Sequence, residues 1–169
     1  MPTYKNMSQA LEYIQKAINK SLQNEVKDAV AKTMDEKIDE VVYSSYSPTM
    51  YDRRGELGNI DNIVGEVVSN GVLEVKNIAQ PSPSVLGGQY DQAVRYGVYG
   101  EDMSLTDWVV NGKVPNIFNG NDYPWMHERD FIEATREELK KSAIIESALA
   151  KGLRKYNLTL TNVSGITIK

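Results

Sequence analysis

The stretch Ser8-Gln-Ala-Leu11-Glu-Tyr-Ile14-Gln-Lys-Ala-Ile18-Asn-Lys-Ser-Leu22-Gln-Asn-Glu-Val26-Lys-Asp-Ala29-Val30-Ala-Lys-Thr-Met34-Asp-Glu-Lys-Ile38-Asp-Glu-Val41-Val42 sets the architecture of this chain. Its apolar residues recur every three or four positions, the signature of one stripe along an α-helix. No Pro or Gly interrupts residues 8–42, and Ser8 is a candidate N-cap. An unbroken helix here would run about 50 Å at roughly 1.5 Å per residue. That is longer than one small core covers, so part of the stripe is expected to need another chain. The alternative is two helices separated near Asn24 or Thr33.

Pro48 stops the helix and pushes Ser47 toward extended backbone. Residues 60–78 then read as a β-hairpin: β-branched residues flank Asn70-Gly71, a dipeptide that tolerates positive φ. In the return strand Val72, Glu74 and Lys76 alternate with Leu73, Val75 and Asn77, which suits a half-solvated sheet. Residues 79–104 lack periodicity and read as a long loop or arm. Ser104 to Gly112 reads as a short helix with Asn111-Gly112 as its stop. A C-terminal helix is expected over 128–156, with Glu137 and Lys141 as an i,i+4 pair. The tail, 157–169, alternates like a strand and is read as a strand or an arm. The fold class is therefore α+β, a single domain over 1–169 with long terminal helices packed on a small antiparallel sheet.

Composition narrows the function. With 169 residues, 41% hydrophobic and 25% charged, the chain is of ordinary globular character. A net charge of −4 gives no overall basic footprint for nucleic acid. The absence of cysteine removes disulfides, thiolate catalysis and cysteine-based metal sites. The start of the chain has no signal-peptide pattern and no window spans a membrane, so the cytoplasm of the producing cell is the expected location.

His127 is the one histidine, which excludes HExxH-type metal sites. Beside Glu128 and Asp130 it could act as a general base in a small metal-dependent hydrolase or nuclease. The competing reading makes this segment a helix start, with Glu128 and Asp130 in the first turn favoured by the dipole. Asp35, Glu36, Asp39 and Glu40 form an acidic patch, read as a solvated face offset by Lys32 and Lys37. Phosphate-loop and nucleophile-elbow patterns do not occur. Tyrosine and arginine dominate protein interfaces. Tyr46, Tyr51, Arg53, Arg54, Tyr90, Tyr96 and Tyr99 are therefore the candidate subunit or partner contacts. Packing of Tyr43, Tyr46 and Tyr51 within the chain is the alternative.

The order of the pieces also carries a resemblance. A long helix runs into Val41-Val42-Tyr43-Ser-Ser-Tyr46-Ser-Pro48-Thr-Met-Tyr51-Asp-Arg53-Arg54, then Glu56-Leu57-Gly58 and the hairpin. Leu105-Thr-Asp-Trp108-Val-Val-Asn-Gly112 follows, and Tyr123-Pro124-Trp125-Met126 leads to Arg129-Asp130-Phe131-Ile132. Over about residues 40–155 this order resembles the tail-completion or head–tail joining proteins of long-tailed bacteriophages, related to minor tail protein Z. Asp130 stands where that family commonly has proline. The resemblance implies a non-enzymatic ring-forming neck subunit of the virion without a cofactor. Its implied partners are copies of itself, head-connector or adaptor proteins and tail-tube or tail-terminator proteins. DNA would pass nearby without specific binding. A prophage-encoded host-binding module is a further alternative.

Overall fold

The computed structural model describes residues 6–45, 47, 55–80, 105–112, 127–161 and 166–168. The N-terminal segment is helical without interruption from Met7 to Tyr43, as α1 (Met7–Ser21), a π-helical turn (Leu22–Val26), α2 (Lys27–Ile38) and a second π-helical turn (Asp39–Tyr43). A short 3₁₀ turn, Ile60–Asn62, precedes β1 (Ile63–Ser69), which pairs with β2 (Val72–Asn77). Then come α3 (Leu105–Asn111), α4 (Phe131–Lys141) and α5 (Ile144–Arg154). The α+β class with terminal helices and a central hairpin is thus what the chain adopts.

The irregularity near Asn24 is a π turn, and the helix continues through it. The apolar spacing explains why. Ile14, Ile18, Leu22, Val26, Val30, Met34, Ile38 and Val42 are four apart. At about 100° per residue, each four-residue step drifts the row by roughly 40° around a regular helix. One extra residue in a π turn takes back about one residue's rotation and returns the row to the core. The first π turn closes through the Lys27 N–H on the Leu22 carbonyl, the second through the Ser44 N–H on the Asp39 carbonyl at 2.8 Å. Side chains reinforce both: Asn24 Nδ2 donates to the Lys20 carbonyl at 2.8 Å, and Ser44 Oγ donates to the Asp39 carbonyl at 2.7 Å.

Helix α1 is capped two residues earlier than Ser8 would allow. Asn6 has extended backbone, and its side chain accepts from the Gln9 N–H at 3.0 Å. The helix expected over 128–156 is two helices. At the joint, Ser142 Oγ donates to the Glu138 carbonyl at 2.7 Å while Ala143 leaves helical geometry at φ −84°, ψ 26°. Helix α4 opens at Phe131, so the acid in its first turn is Glu133, and Glu128 and Asp130 lie before it. The Glu137–Lys141 pair forms at 2.7 Å.

The hairpin turn is not the type I′ form, which needs positive φ at both central residues. Gly71 has φ 76°, and the only non-glycine with positive φ among the described residues is Asn157. A left-handed glycine closing the loop is the pattern of a type I turn extended by one residue. Gly112, at φ 61°, ends α3 as expected.

The chain gathers into two compact units. The first draws on Met1–Met34, Val64–Lys76 and Glu133–Lys169. Its core holds Val26, Leu139, Ile145 and Ala148, with Leu22, Val30, Leu73, Leu149 and Ile168 packed against it. The tail makes no strand among the described residues. Asn157, at φ 56°, turns the chain out of α5 in a Schellman motif: the Leu158 N–H bonds the Leu153 carbonyl at 3.1 Å and the Asn157 N–H bonds the Arg154 carbonyl at 3.0 Å.

A close contact in this unit joins α1 to α5. A Cβ built on Gly152 would stand 2.5 Å from Ser21 Cβ and 2.7 Å from Glu25 Oε2. Ser21 is fully buried, and its hydroxyl donates to the Ala17 carbonyl at 2.8 Å. Lys155 Nζ bonds the Glu25 carboxylate from the same side, which raises Lys155 above the usual lysine pKa. Tyr13 packs edge to face on Tyr156, and its hydroxyl donates to the Tyr156 carbonyl at 2.9 Å.

The second unit draws on Asp35–Ile63 and Asn77–Ile132. Its buried apolar residues are Ile38, Val42, Leu57, Ile63, Ala79, Val109 and Phe131. Buried Asn77 fastens it: Nδ2 donates to the Leu57 carbonyl at 2.6 Å, and Oδ1 accepts from the Ala79 N–H at 2.9 Å.

Gly152→Ala is expected to destabilise the protein by about 1–3 kcal/mol through overpacking, despite alanine's better helix propensity. Urea unfolding followed by circular dichroism measures it; a variant as stable as the parent would contradict the close crossing. Asn77→Ala, which strands a buried carbonyl and a buried N–H, is expected to cost roughly 1–3 kcal/mol in the same assay.

Candidate functional site

The most distinctive surface lies on the first unit. Met7, Leu11 and Ile14 are 75%, 58% and 39% exposed, while Ile18 and Leu22, further along the same row, are half-buried. The apolar stripe thus begins in solvent and enters the core only at Val26. Leu11 and Ile14 belong to the stripe read from the sequence; Met7 lies one helical step before it and was not in that reading.

A row of amides fixes this helix to the hairpin. Gln15, Asn19 and Gln23 are spaced four apart on one side of α1. Gln15 Nε2 donates to Asn19 Oδ1 at 3.1 Å, and Asn19 Nδ2 donates to Asn70 Oδ1 at 3.0 Å. Asn19 Oδ1 also accepts from the Gly71 N–H at 3.0 Å. Gln23 pairs with β1 as a strand would: Nε2 donates to the Gly65 carbonyl at 2.8 Å and Oε1 accepts from the Val67 N–H at 3.0 Å. Gly65 leaves room for Lys27, because a Cβ on it would meet Lys27 Cγ at 2.5 Å and push that side chain aside. A shallow open groove follows this junction, lined by Glu12, Lys16, Lys20, Gln23, Val67 and Asn70.

The hairpin's far side is also partly apolar. Leu73, Val75 and Asn77 turn inward, and Val72, Glu74 and Lys76 turn outward, as the alternation implied. On β1 the outward residues include Val64 and Val68, at 39% and 53% exposure, beside Val72 at 48%. These valines were read in the sequence only as strand formers, because exposure of a β-branched residue leaves no mark in an alternating pattern.

The residues singled out from the sequence fall as follows. Tyr46, Tyr51, Arg53, Arg54, Tyr90, Tyr96 and Tyr99 lie outside the described residues, as does the loop from Pro81 to Ser104. Tyr43 is used within the chain: its hydroxyl accepts from the Gly58 N–H at 3.0 Å. His127, Glu128 and Asp130 are exposed in the irregular lead to α4, where the Arg129 N–H bonds the Val109 carbonyl at 3.0 Å. Among the described residues no group of three or more His, Asp or Glu is placed to hold a metal ion, and no helix is long and apolar enough to cross a membrane.

The acidic patch is partly offset by Lys37, whose Nζ bonds Glu40 at 2.7 Å. Asp35 is the exception. Partial desolvation beside Gly58, then the charges of Asp39 and Glu36, raise its carboxyl above the usual aspartate pKa.

These features define a small α+β protein with uncovered apolar surface on its leading helix and on its hairpin. The chain belongs to the YomN family, whose sequence model matches residues 6–155. That family is of Bacillus phage and prophage type, which marks the protein as phage-associated. No curated protein and no solved structure matches the chain.

A raised Asp35 pKa means that the fold favours the protonated form. Its contribution is full below the pKa of unfolded aspartate and is lost as pH rises through the folded value. Asp35→Asn is therefore expected to stabilise the protein at pH 7, by roughly a few tenths of a kcal/mol given solvent screening. The gain should vanish below the ordinary aspartate pKa; thermal melts at pH 7 and pH 3 test this, and an equal gain at both would refute it.

Proposed function

We propose that this protein is a structural, non-enzymatic subunit of the phage neck, forming a homo-oligomeric ring that joins the head connector to the tail. The observation that carries the reading is the row Met7, Leu11 and Ile14, left in solvent on a helix whose later turns are buried. Apolar side chains in a contiguous exposed row mark a surface for association. Membership of a phage-type family supports a phage-associated role, and the resemblance of the segment order to that of tail-completion proteins is the reason for preferring the neck. Copies of the chain are its first partners. Head-connector or adaptor proteins and tail-tube or terminator proteins are the next, reached through the segments carrying Tyr46, Tyr51, Arg53, Arg54, Tyr90, Tyr96 and Tyr99. The net charge of −4 suits a ring that lets DNA pass without gripping it. Its place of work is the neck of the virion, after assembly in the host cytoplasm.

Deletion of the gene from an inducible phage or prophage should leave filled heads and free tails that fail to join. Electron microscopy of the lysate reads this directly, with the plasmid-borne gene restoring joined particles. Intact infectious virions from the deletion strain would sink the proposal.

A further inference from the structure

The turn of the hairpin carries a chemically labile pair. Asparagine followed by glycine is prone to lose its side-chain amide, because glycine has no Cβ to keep its nitrogen away from the asparagine Cγ. A bond forms between that nitrogen and Cγ and closes a succinimide ring. The Cγ–Nδ2 bond breaks, and ammonia leaves with the proton that the glycine N–H gives up. Water then opens the ring at one carbonyl or the other, giving aspartate or isoaspartate. The sum is amide plus water to acid plus ammonia, with no change of oxidation state. Asn70-Gly71 and Asn111-Gly112 are such pairs among the described residues.

At Asn70-Gly71 both reacting groups are tied to one side chain of α1. Asn19 Nδ2 donates to Asn70 Oδ1 at 3.0 Å, and Asn19 Oδ1 accepts from the Gly71 N–H at 3.0 Å. Attack needs the Gly71 nitrogen stripped of its proton and turned onto the face of Asn70 Cγ. The bond to Asn19 opposes both, since a carboxamide oxygen accepts a hydrogen bond but is too weak a base to take the proton. The donor on Asn70 Oδ1 polarises that carbonyl, which alone would favour attack, but it has no effect while the nucleophile keeps its proton. Asn19 is itself held in place. Gln15 Nε2 donates to its Oδ1 at 3.1 Å, and Gln23, one helical step on, bonds the Gly65 carbonyl and the Val67 N–H.

We propose that Asn70 is a deamidation site and that Asn19 is the clasp that holds the reaction back. Conversion to isoaspartate would carry the main chain through the former side chain and lengthen it by a methylene. The two groups that grip Asn19 would then no longer meet it together, and the tip of the hairpin would come away from α1. The step is irreversible, so the turn ages in one direction.

The test incubates the purified chain at mildly alkaline pH, digests it and follows the Asn70 and Asn111 peptides by mass spectrometry. The amide-to-acid mass gain reports conversion, and chromatography separates isoaspartate from aspartate. Asn111, whose Nδ2 donates to the Asp107 carbonyl of its own helix, is the internal reference. Asn70 should convert more slowly in the folded parent than in urea. Asn19→Ala should speed it about tenfold, the size expected for release of two modest hydrogen bonds, while Asn111 keeps its rate. Asn19→Leu removes the amide but keeps the bulk and should act alike; circular dichroism shows which of the two variants keeps the parent fold. Gln23→Ala loosens the hairpin along β1 without touching the clasp and should leave Asn70 near the parent rate. The proposal is overturned if Asn70 converts no faster in urea than in the folded parent, or if folded Asn19 variants leave its rate unmoved or lower it. Gln23→Ala speeding Asn70 as much as Asn19→Ala also overturns it, because general loosening would then be the cause.

Discussion

The close crossing of Ser21 and Gly152 is the constraint on which the first unit depends. Two helices approach this closely only where neither side chain holds them apart, and here one is serine and the other has no Cβ. The serine hydroxyl would be a liability in a buried position, but it is satisfied on its own helix by the Ala17 carbonyl. Around this point the other contacts fall into place. Glu25 and Lys155 bridge one side, Tyr13 and Tyr156 the other. The π turn begins immediately after Ser21, so the helix changes phase once the crossing has been made. The residues before it face α5 at close range, and Val26 after it enters the apolar cluster.

Much of this was legible in the sequence. An uninterrupted apolar row predicts the long helix, and Asn70-Gly71 predicts the hairpin; both formed because local propensity and burial agree there. Gly112 ends its helix for the same reason. The misreadings have physical causes. The run of four-residue steps from Ile14 to Val42 already contradicts a regular helix, but a stripe judged by eye hides the drift. The break falls where Ala143 leaves helical geometry, a change of backbone angle at one residue that periodicity cannot register. Asn6 outcompetes Ser8 as cap because the helix starts at Met7, whose side chain contributes to the apolar row outside the core.

The candidate site was legible in kind more than in place. The surplus of apolar stripe is visible in composition and spacing; which turns stay uncovered depends on where α5 and the hairpin lie, which only the tertiary contacts decide. The histidine segment shows the opposite case. His127, Glu128 and Asp130 are adjacent in sequence, but the helix that would have aligned them begins only at Phe131. No helical face therefore aligns the three.

The pairing of Gln23 with Gly65 and Val67 has a consequence for solubility. A strand flank with bare amide and carbonyl groups invites other chains to extend it into cross-β stacks. Here a side-chain amide occupies that flank of β1 as a dummy strand of one residue. With those two groups taken, that flank of β1 offers an incoming strand no complete ladder to extend.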